Sequence, residues 1–300
     1  NRILLLICLI LCTANTYSQN INRPDINCSS GLKVNSFSHS LYYGRTDLKI
    51  PCRGISIDLT FSYNNGRTAI DLGYGNGWSM TYSIVYTRDT HEVKIRQGIG
   101  RKDIFTKSGS GWKAAEGSFD TLYEYTPGQF QLKNNRGLIY HFEDSTHKRV
   151  TKISEPNGNA IVISYTNGLA TLITDPSGRS VQLNYSNGHL NSIYDPNFIP
   201  PRTFYYSYDA NNNMNRFTDP MGKTIQYEYD NNRLLNKITD QNSVLYEIKY
   251  EVTGFGNRVA LITSPLSAIN IYENTFIGKT TVIEMVNNVE QVTHYKYGCG

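Results

Sequence analysis

The chain has 300 residues, 39% apolar, 18% charged and 12% aromatic, which suffices for one large domain or two ordinary ones around a packed core and excludes wholesale disorder. A net charge of +4 with no cluster of Lys and Arg leaves no electrostatic footprint for nucleic acid. The 23 tyrosines suit strands and the 31 asparagines suit tight turns, so the composition leans all-β.

Arg2 precedes an apolar run from Ile3 to Leu11, followed by the polar stretch Cys12 to Gln19. Residues 1–18 therefore read as a secretory signal peptide, and the run is too short to span a membrane. The expected place is outside the cell or on its outer surface. Leu11 is bulky directly before Cys12, which argues against a lipoprotein anchor there. Residues 19–36 read as a linker. Cys28 and Cys52 are candidates for a disulfide in an oxidising compartment, with two free thiols as the equal alternative. Without a Cys-x-x-Cys pair, a zinc ribbon or a thioredoxin motif is excluded.

Residues 37–149 read as a β domain. Ile55, Ile57, Leu59, Phe61 and Tyr63 alternate with Ser56, Asp58, Thr60 and Ser62, which predicts a half-buried strand ending at Asn64-Asn65-Gly66. Further strands are expected at Tyr82 to Thr87, His91 to Arg96, Asp103 to Thr106, Gln129 to Lys133 and Leu138 to Phe142. Gly73 to Gly77 and Gly109 to Gly111 read as turns, and Trp78 and Trp112 as packing residues.

From residue 150 to 272 an internal repeat dominates. Turn signals recur at Glu155-Pro156, Asp175-Pro176, Asp195-Pro196, Asp219-Pro220 and Asp240-Gln241, with Gly178 and Gly222 at turn exits. Two residues before each acid stands an apolar side chain, and a tyrosine follows in every unit: Tyr165, Tyr185, Tyr208, Tyr229 and Tyr250. Between them Ile161, Ile163 and Tyr165 alternate with Val162 and Ser164, and later units do the same. Asn167-Gly168, Asn187-Gly188 and Asn231-Asn232 are expected to supply the positive φ angles of hairpin turns. Each unit is thus two short antiparallel strands that cannot bury one face alone, so neighbouring hairpins must share a core. Recurring Pro and Gly exclude an α-solenoid.

Tyr208-Asp209-Ala210-Asn211, and Tyr229-Asp230 leading through Leu234 to Ile238-Thr239-Asp240, resemble the Rhs/YD-repeat family. The segment from Leu41 to Gly54, then Ile55 to Tyr63 and Gly77-Trp78-Ser79, is similar to the domain that precedes such repeats in bacterial Rhs proteins. The resemblance covers roughly residues 37–272; Asp240 lacks its Pro and Gly, and residues 273–300 read as a degenerate repeat or a truncated continuation. It implies an all-β fold, with hairpin repeats forming a continuous curved or spiralling sheet, a partial Rhs-type shell after an N-terminal β domain. It also implies a secreted, non-enzymatic scaffold, the N-terminal part of a shell of the polymorphic-toxin or cell-surface type. Its partner would be a toxin or cargo domain encoded downstream. The alternative is an exported carbohydrate-binding or adhesion protein, with exposed Tyr and Asn as the sugar-binding surface.

Chemical motifs fail on inspection. Gly278-Lys279-Thr280 lacks the upstream glycine of a phosphate loop, and Gly73-x-Gly75-x-Gly77 opens no helix for a dinucleotide. His141, Glu143, Asp144 and His147 read as surface residues around a turn rather than metal ligands. No catalytic residue, metal or cofactor is expected.

Overall fold

Strands and turns follow one another from Asp25 to Lys296, and the one helical element among the described residues is a 3-10 turn at Asn65–Arg67. The computed structural model describes residues 25–28, 31–98, 100–253, 256–265, 267–274, 279–286 and 289–296. The signal peptide expected at 1–18, Cys12 and Gly278 lie outside them.

Five strands form a first antiparallel sheet in chain order: β1 (Asp25–Asn27), β2 (Leu32–Asn35), β3 (Leu41–Ile50), β4 (Ile57–Asn64) and β5 (Trp78–Met80). The linker expected at 19–36 is corrected for Asp25–Asn27 and Leu32–Asn35, while residues 19–24 and 29–30 lie outside the described residues. Ile26, Leu32 and Val34 alternate inward and are buried, so β1 and β2 belong to the core. In β3 the inward set changes phase, from Leu41, Tyr43 and Arg45 to Leu48 and Ile50. A bulge between Thr46 and Leu48 makes that change and adds Asp47 to the inner face.

The remaining strands form one long antiparallel sheet, each pairing with the next. Its first part is β6 (Val85–Arg88), β7 (Glu92–Arg96), β8 (Lys102–Ser108), β9 (Gly111–Ala114), β10 (Thr121–Thr126), β11 (Gln129–Lys133), β12 (Ile139–Phe142) and β13 (Lys152–Ser154). This part curls back on itself as a barrel, β6 against residues 148–150. Tyr86 N–H donates to Lys148 O at 2.9 Å, and Val150 N–H donates to Ile84 O at 3.0 Å. Tyr86, Phe130 and Phe142 pack edge to face inside the closure, with ring centroids 4.9 and 5.6 Å from Tyr86. β12 pairs β13 directly, so the sheet runs without an edge past residue 149.

Hairpins then follow at β14 (Ala160–Thr166) with β15 (Leu169–Thr174), β16 (Ser180–Ser186) with β17 (His189–Asp195), and β18 (Arg202–Tyr208) with β19 (Met214–Thr218). β20 (Thr224–Tyr229) pairs β21 (Leu235–Thr239), and β22 (Leu245–Thr253) pairs β23 (Gly256–Ser264). The sheet continues through β24 (Ser267–Asn274), β25 (Lys279–Val286) and β26 (Val289–Lys296).

The return strand of every repeat carries two apolar residues three apart: Ala170 and Ile173, Leu190 and Ile193, Met214 and Phe217, Leu235 and Ile238, Val259 and Ile262. All are buried. A plain strand turns residues at odd spacing to opposite faces. The conflict is resolved by a bulge in each hairpin, at Ser164/Tyr165, Asn184/Tyr185, Ser207/Tyr208, Glu228/Tyr229 and Lys249/Tyr250. Burial of each such Leu or Ile contributes about 1.5–3 kcal/mol.

Candidate functional site

Three acidic residues of the repeat, Asp175, Asp219 and Asp240, build the same turn, while Glu155 accepts from Asn159 Nδ2 at 3.1 Å instead. Asp175 Oδ1 accepts the N–H groups of Ser177 (2.8 Å) and Arg179 (3.0 Å), while Gly178 N–H donates to Asp175 O at 3.0 Å. Asp219 does the same with Met221, Lys223 and Gly222. Asp240 binds Asn242 and Val244, with Ser243 taking the left-handed position at φ 62°. Asp195 lies in the longer third unit and is fully buried; it accepts from Asn197 N–H (2.9 Å) and from Arg202 Nη2 (2.6 Å). Pro176, Pro196 and Pro220 each follow the acid in these turns. Burial alone would raise the carboxyls of Asp175 and Asp195, but the bonds from Arg179, Arg202 and the turn amides hold both below the usual range.

The Tyr-Asp hairpins use this turn as well, which corrects one expectation. Asn167-Gly168 and Asn187-Gly188 take positive φ at both positions, as anticipated. At Tyr229 the left-handed residue is Arg233 (φ 62°), not Asn231 or Asn232, because Asp230 accepts from Asn232 and Leu234 and shifts the turn by one step. Asp209 builds the same turn through Asn211 and Asn213.

The repeat tyrosines form a ladder on the inner face. Tyr165 Oη donates to Val150 O (2.7 Å), Tyr208 to Leu190 O (3.0 Å), Tyr229 to Met214 O (2.8 Å) and Tyr250 to Leu235 O (2.8 Å). Each hydroxyl thereby ties its hairpin to a carbonyl earlier in the chain. Tyr185 departs from the pattern and reaches Tyr74 Oη at 3.4 Å. Burial raises all five phenol pKa values. These rings are half-buried packing residues, so they are not the exposed sugar platform considered from the sequence.

The N-terminal sheet covers this ladder and takes up backbone groups of the return strands. Leu190 N–H donates to Gly73 O (2.8 Å), Leu235 N–H to Tyr63 Oη (3.0 Å) and Val259 N–H to His39 O (2.9 Å). Buried N–H groups need such partners. Trp78 Nε1 donates to Tyr229 Oη at 2.8 Å, and Asp71 reaches His189 Nε2 at 2.7 Å. The glycines at 73–77 serve contact rather than nucleotide binding. A Cβ on Gly75, whose φ is +91°, would lie 2.8 Å from Met214 N.

At the centre of the contact Arg45 and Asp47 form a buried ion pair, with side chains 8% and 0% exposed. Arg45 Nε and Nη2 grip the Asp47 carboxylate, Nη1 bonds Tyr227 Oη, and Tyr206 Oη donates to Asp47 Oδ2 at 2.7 Å. The guanidinium lies 3.9 Å from the Phe217 ring centroid. Burial disfavours its charge, yet Asp47 beside it holds its pKa above the ordinary value. Sequence reasoning missed this pair; the phase change after Arg45 in β3 is the signal that marks it.

The remaining candidates separate. Cys28 and Cys52 are free thiols, which corrects the disulfide: Cys28 Sγ points to Ile26 O at 3.7 Å and Cys52 Sγ to Ser177 Oγ at 3.1 Å, on separate parts of the fold. His141 is buried against Ser154 Oγ (2.9 Å) rather than exposed, while His147 pairs Asp144 at 2.7 Å. Among the described residues no three His, Cys, Asp or Glu converge as metal ligands. Nor is any described helix long and apolar enough to cross a membrane. Trp112 is half-buried, its Nε1 on Glu124 at 3.2 Å.

Comparison with known proteins places the RHS Repeat family on residues 208–243. No curated protein matches the chain. Among solved structures it is similar to the Tc holotoxin pore of Photorhabdus luminescens, at 10% identity and TM-score 0.28, over 91% of this chain and 20% of that one. It is also similar to the TcdB2-TccC3-Cdc42 complex, at 11% identity and TM-score 0.31, over 88% of this chain and 14% of that one. A porin-like protein from Bacteroides uniformis matches at 10% identity and TM-score 0.27, over 87% of this chain and 96% of that one. The chain thus spans 20% or less of the length of the two toxin-complex chains.

Proposed function

We propose that this chain, an RHS-repeat protein with its family segment at 208–243, is a non-enzymatic exported scaffold that forms the leading part of a larger shell around a cargo domain. The observation that carries the reading is the destination of the recurring polar side chains. In each repeat the acid is used by its own turn, and four of the five tyrosine hydroxyls are bonded to a backbone carbonyl. Groups used in this way build a wall, and these acids and phenols are not poised for proton transfer. The wall grows by one hairpin per repeat, which suits an enclosure. The signal-peptide reading of residues 1–18 supports export.

The experiment is to sequence the transcript downstream of the Gly300 codon and co-express this chain with whatever it encodes. Further Tyr-Asp repeats, and a terminal domain resistant to protease only while this chain is present, are the expected results. A stop codon directly after Gly300, or a terminal domain cleaved equally fast with and without this chain, overturns the reading.

A further inference from the structure

Directly opposed residues of an antiparallel ladder share a face, with Cβ atoms about 4.5–5.5 Å apart. Arg149 bridges Val85, Val85 pairs Arg96, and Arg96 pairs Lys102. Arg96 and Lys102 therefore share one face of β7 and β8, and Arg149 stands third in the row beyond Val85, its guanidinium 6.0 Å from the Tyr165 ring centroid. A fourth comes from the N-terminal sheet. Arg67, at the end of the 3-10 turn, brings Nη1 to 3.5 Å from Ser79 Oγ, beside Gly100. Burial first, and then the charge of Arg96, lowers the Arg67 pKa to about 10.

Among the described residues no carboxylate comes within 4.0 Å of Arg67, Arg96, Lys102 or Arg149. The nearby acids are engaged elsewhere: Glu92 holds Lys94 (2.6 Å), Asp103 and Asp120 hold Arg101 (2.5 and 2.9 Å), and Asp144 holds His147 (2.7 Å). Arg149 Nε is buried without any hydrogen-bond partner. Like charges gathered on partly buried sites, with guanidinium donors left over, match the planar forks that recognise oxyanions.

We propose that Arg67, Arg96 and Lys102, with Arg149 at the end of their row, form a binding site for an oxyanion, a sulfate, phosphate or carboxylate group carried by a small molecule. The bound anion relieves the repulsion between Arg67 and Arg96 and joins the N-terminal sheet to the wall of the barrel. This site is independent of the scaffold reading.

Calorimetric titration of the full chain with inorganic phosphate tests it. One saturable site is expected in the parent, weakened about tenfold or more in Arg96→Gln and in Arg67→Gln, which lie on different elements, through loss of a charged hydrogen bond. Exposed Lys133→Gln serves as the control and retains the parent affinity. Melting in sodium sulfate against sodium chloride of equal ionic strength gives a second readout. Sulfate stabilises proteins in general, so the decisive quantity is the loss in Arg96→Gln of part of the parent's sulfate-dependent rise in Tm, by about 2 °C or more. No saturable heat in the parent, or affinity unchanged in both arginine variants, overturns the proposal.

Discussion

The repeat array from β14 to β23 and the barrel that precedes it share their turn chemistry yet are held together differently. In the barrel, Asn134 accepts the N–H groups of Arg136 and Leu138, as Asp219 does in the array. The barrel then closes on itself, β6 against residues 148–150, around Tyr86, Phe130 and Phe142. In the array a bulge recurs in every hairpin, and N–H groups of Leu190, Leu235 and Val259 are taken by the N-terminal sheet and its loops. A local sequence rule can therefore repeat faithfully while the unit it builds depends on a distant segment.

The largest effect is expected where the two layers share charge. Asp47→Ala leaves Arg45 buried without its partner and should cost about 3–5 kcal/mol in urea unfolding. Arg45→Met with Asp47→Leu should recover much of that. A loss under about 1 kcal/mol in Asp47→Ala would mean that the contact is not tightly closed.

Next is His39, fully buried, where burial and the Arg258 charge lower the pKa to about 4. The unfolded value is near 6.5. The folded state therefore resists protonation: its contribution is complete above about pH 6.5 and lost as pH falls toward 4, up to about 3 kcal/mol. Stability measured across this window should flatten in His39→Gln, whereas an unchanged slope would assign the loss to other groups.

Within the ladder, Tyr229→Phe removes a bond to Met214 O and strands the Trp78 N–H, for about 1–2 kcal/mol. Tyr185→Phe, with one long bond to Tyr74, should cost less than half as much. Equal losses would break the ladder interpretation. The smallest contrast is between Asp219→Ala and Asn134→Ala. Each should lose about 1 kcal/mol through the same turn bonds, Asp219→Ala slightly more because it also releases Gln241 Nε2 (3.0 Å); a difference well above that of one further hydrogen bond would show that the turns of the two regions are not equivalent.

Much of the array was legible in the sequence, because turn acids, alternating strands and Asn-Gly hairpins are local signals. The spacing of Leu190 to Ile193 even encodes the bulge, since an odd step cannot otherwise bury both residues. What escaped was non-local. Nothing near residue 63 announces that its hydroxyl accepts from Leu235, and no repeat pattern marks β1 and β2 as core strands. Arg45 and Asp47 are covered by Tyr206, Tyr227 and Phe217, residues far along the chain. Arg67, Arg96 and Lys102 are also gathered only by register and by the turn at residues 65–67.

The central claim is that the N-terminal sheet completes the backbone bonding of the repeats, and amide hydrogen exchange of the intact chain tests it most directly. The N–H groups of Leu190, Leu235 and Val259 should exchange as slowly as those of the ladder-paired residues Ile193 and Ile238, opening only with global unfolding. Exchange of these three at the rate of exposed loop amides, while Ile193 and Ile238 stay protected, would contradict it.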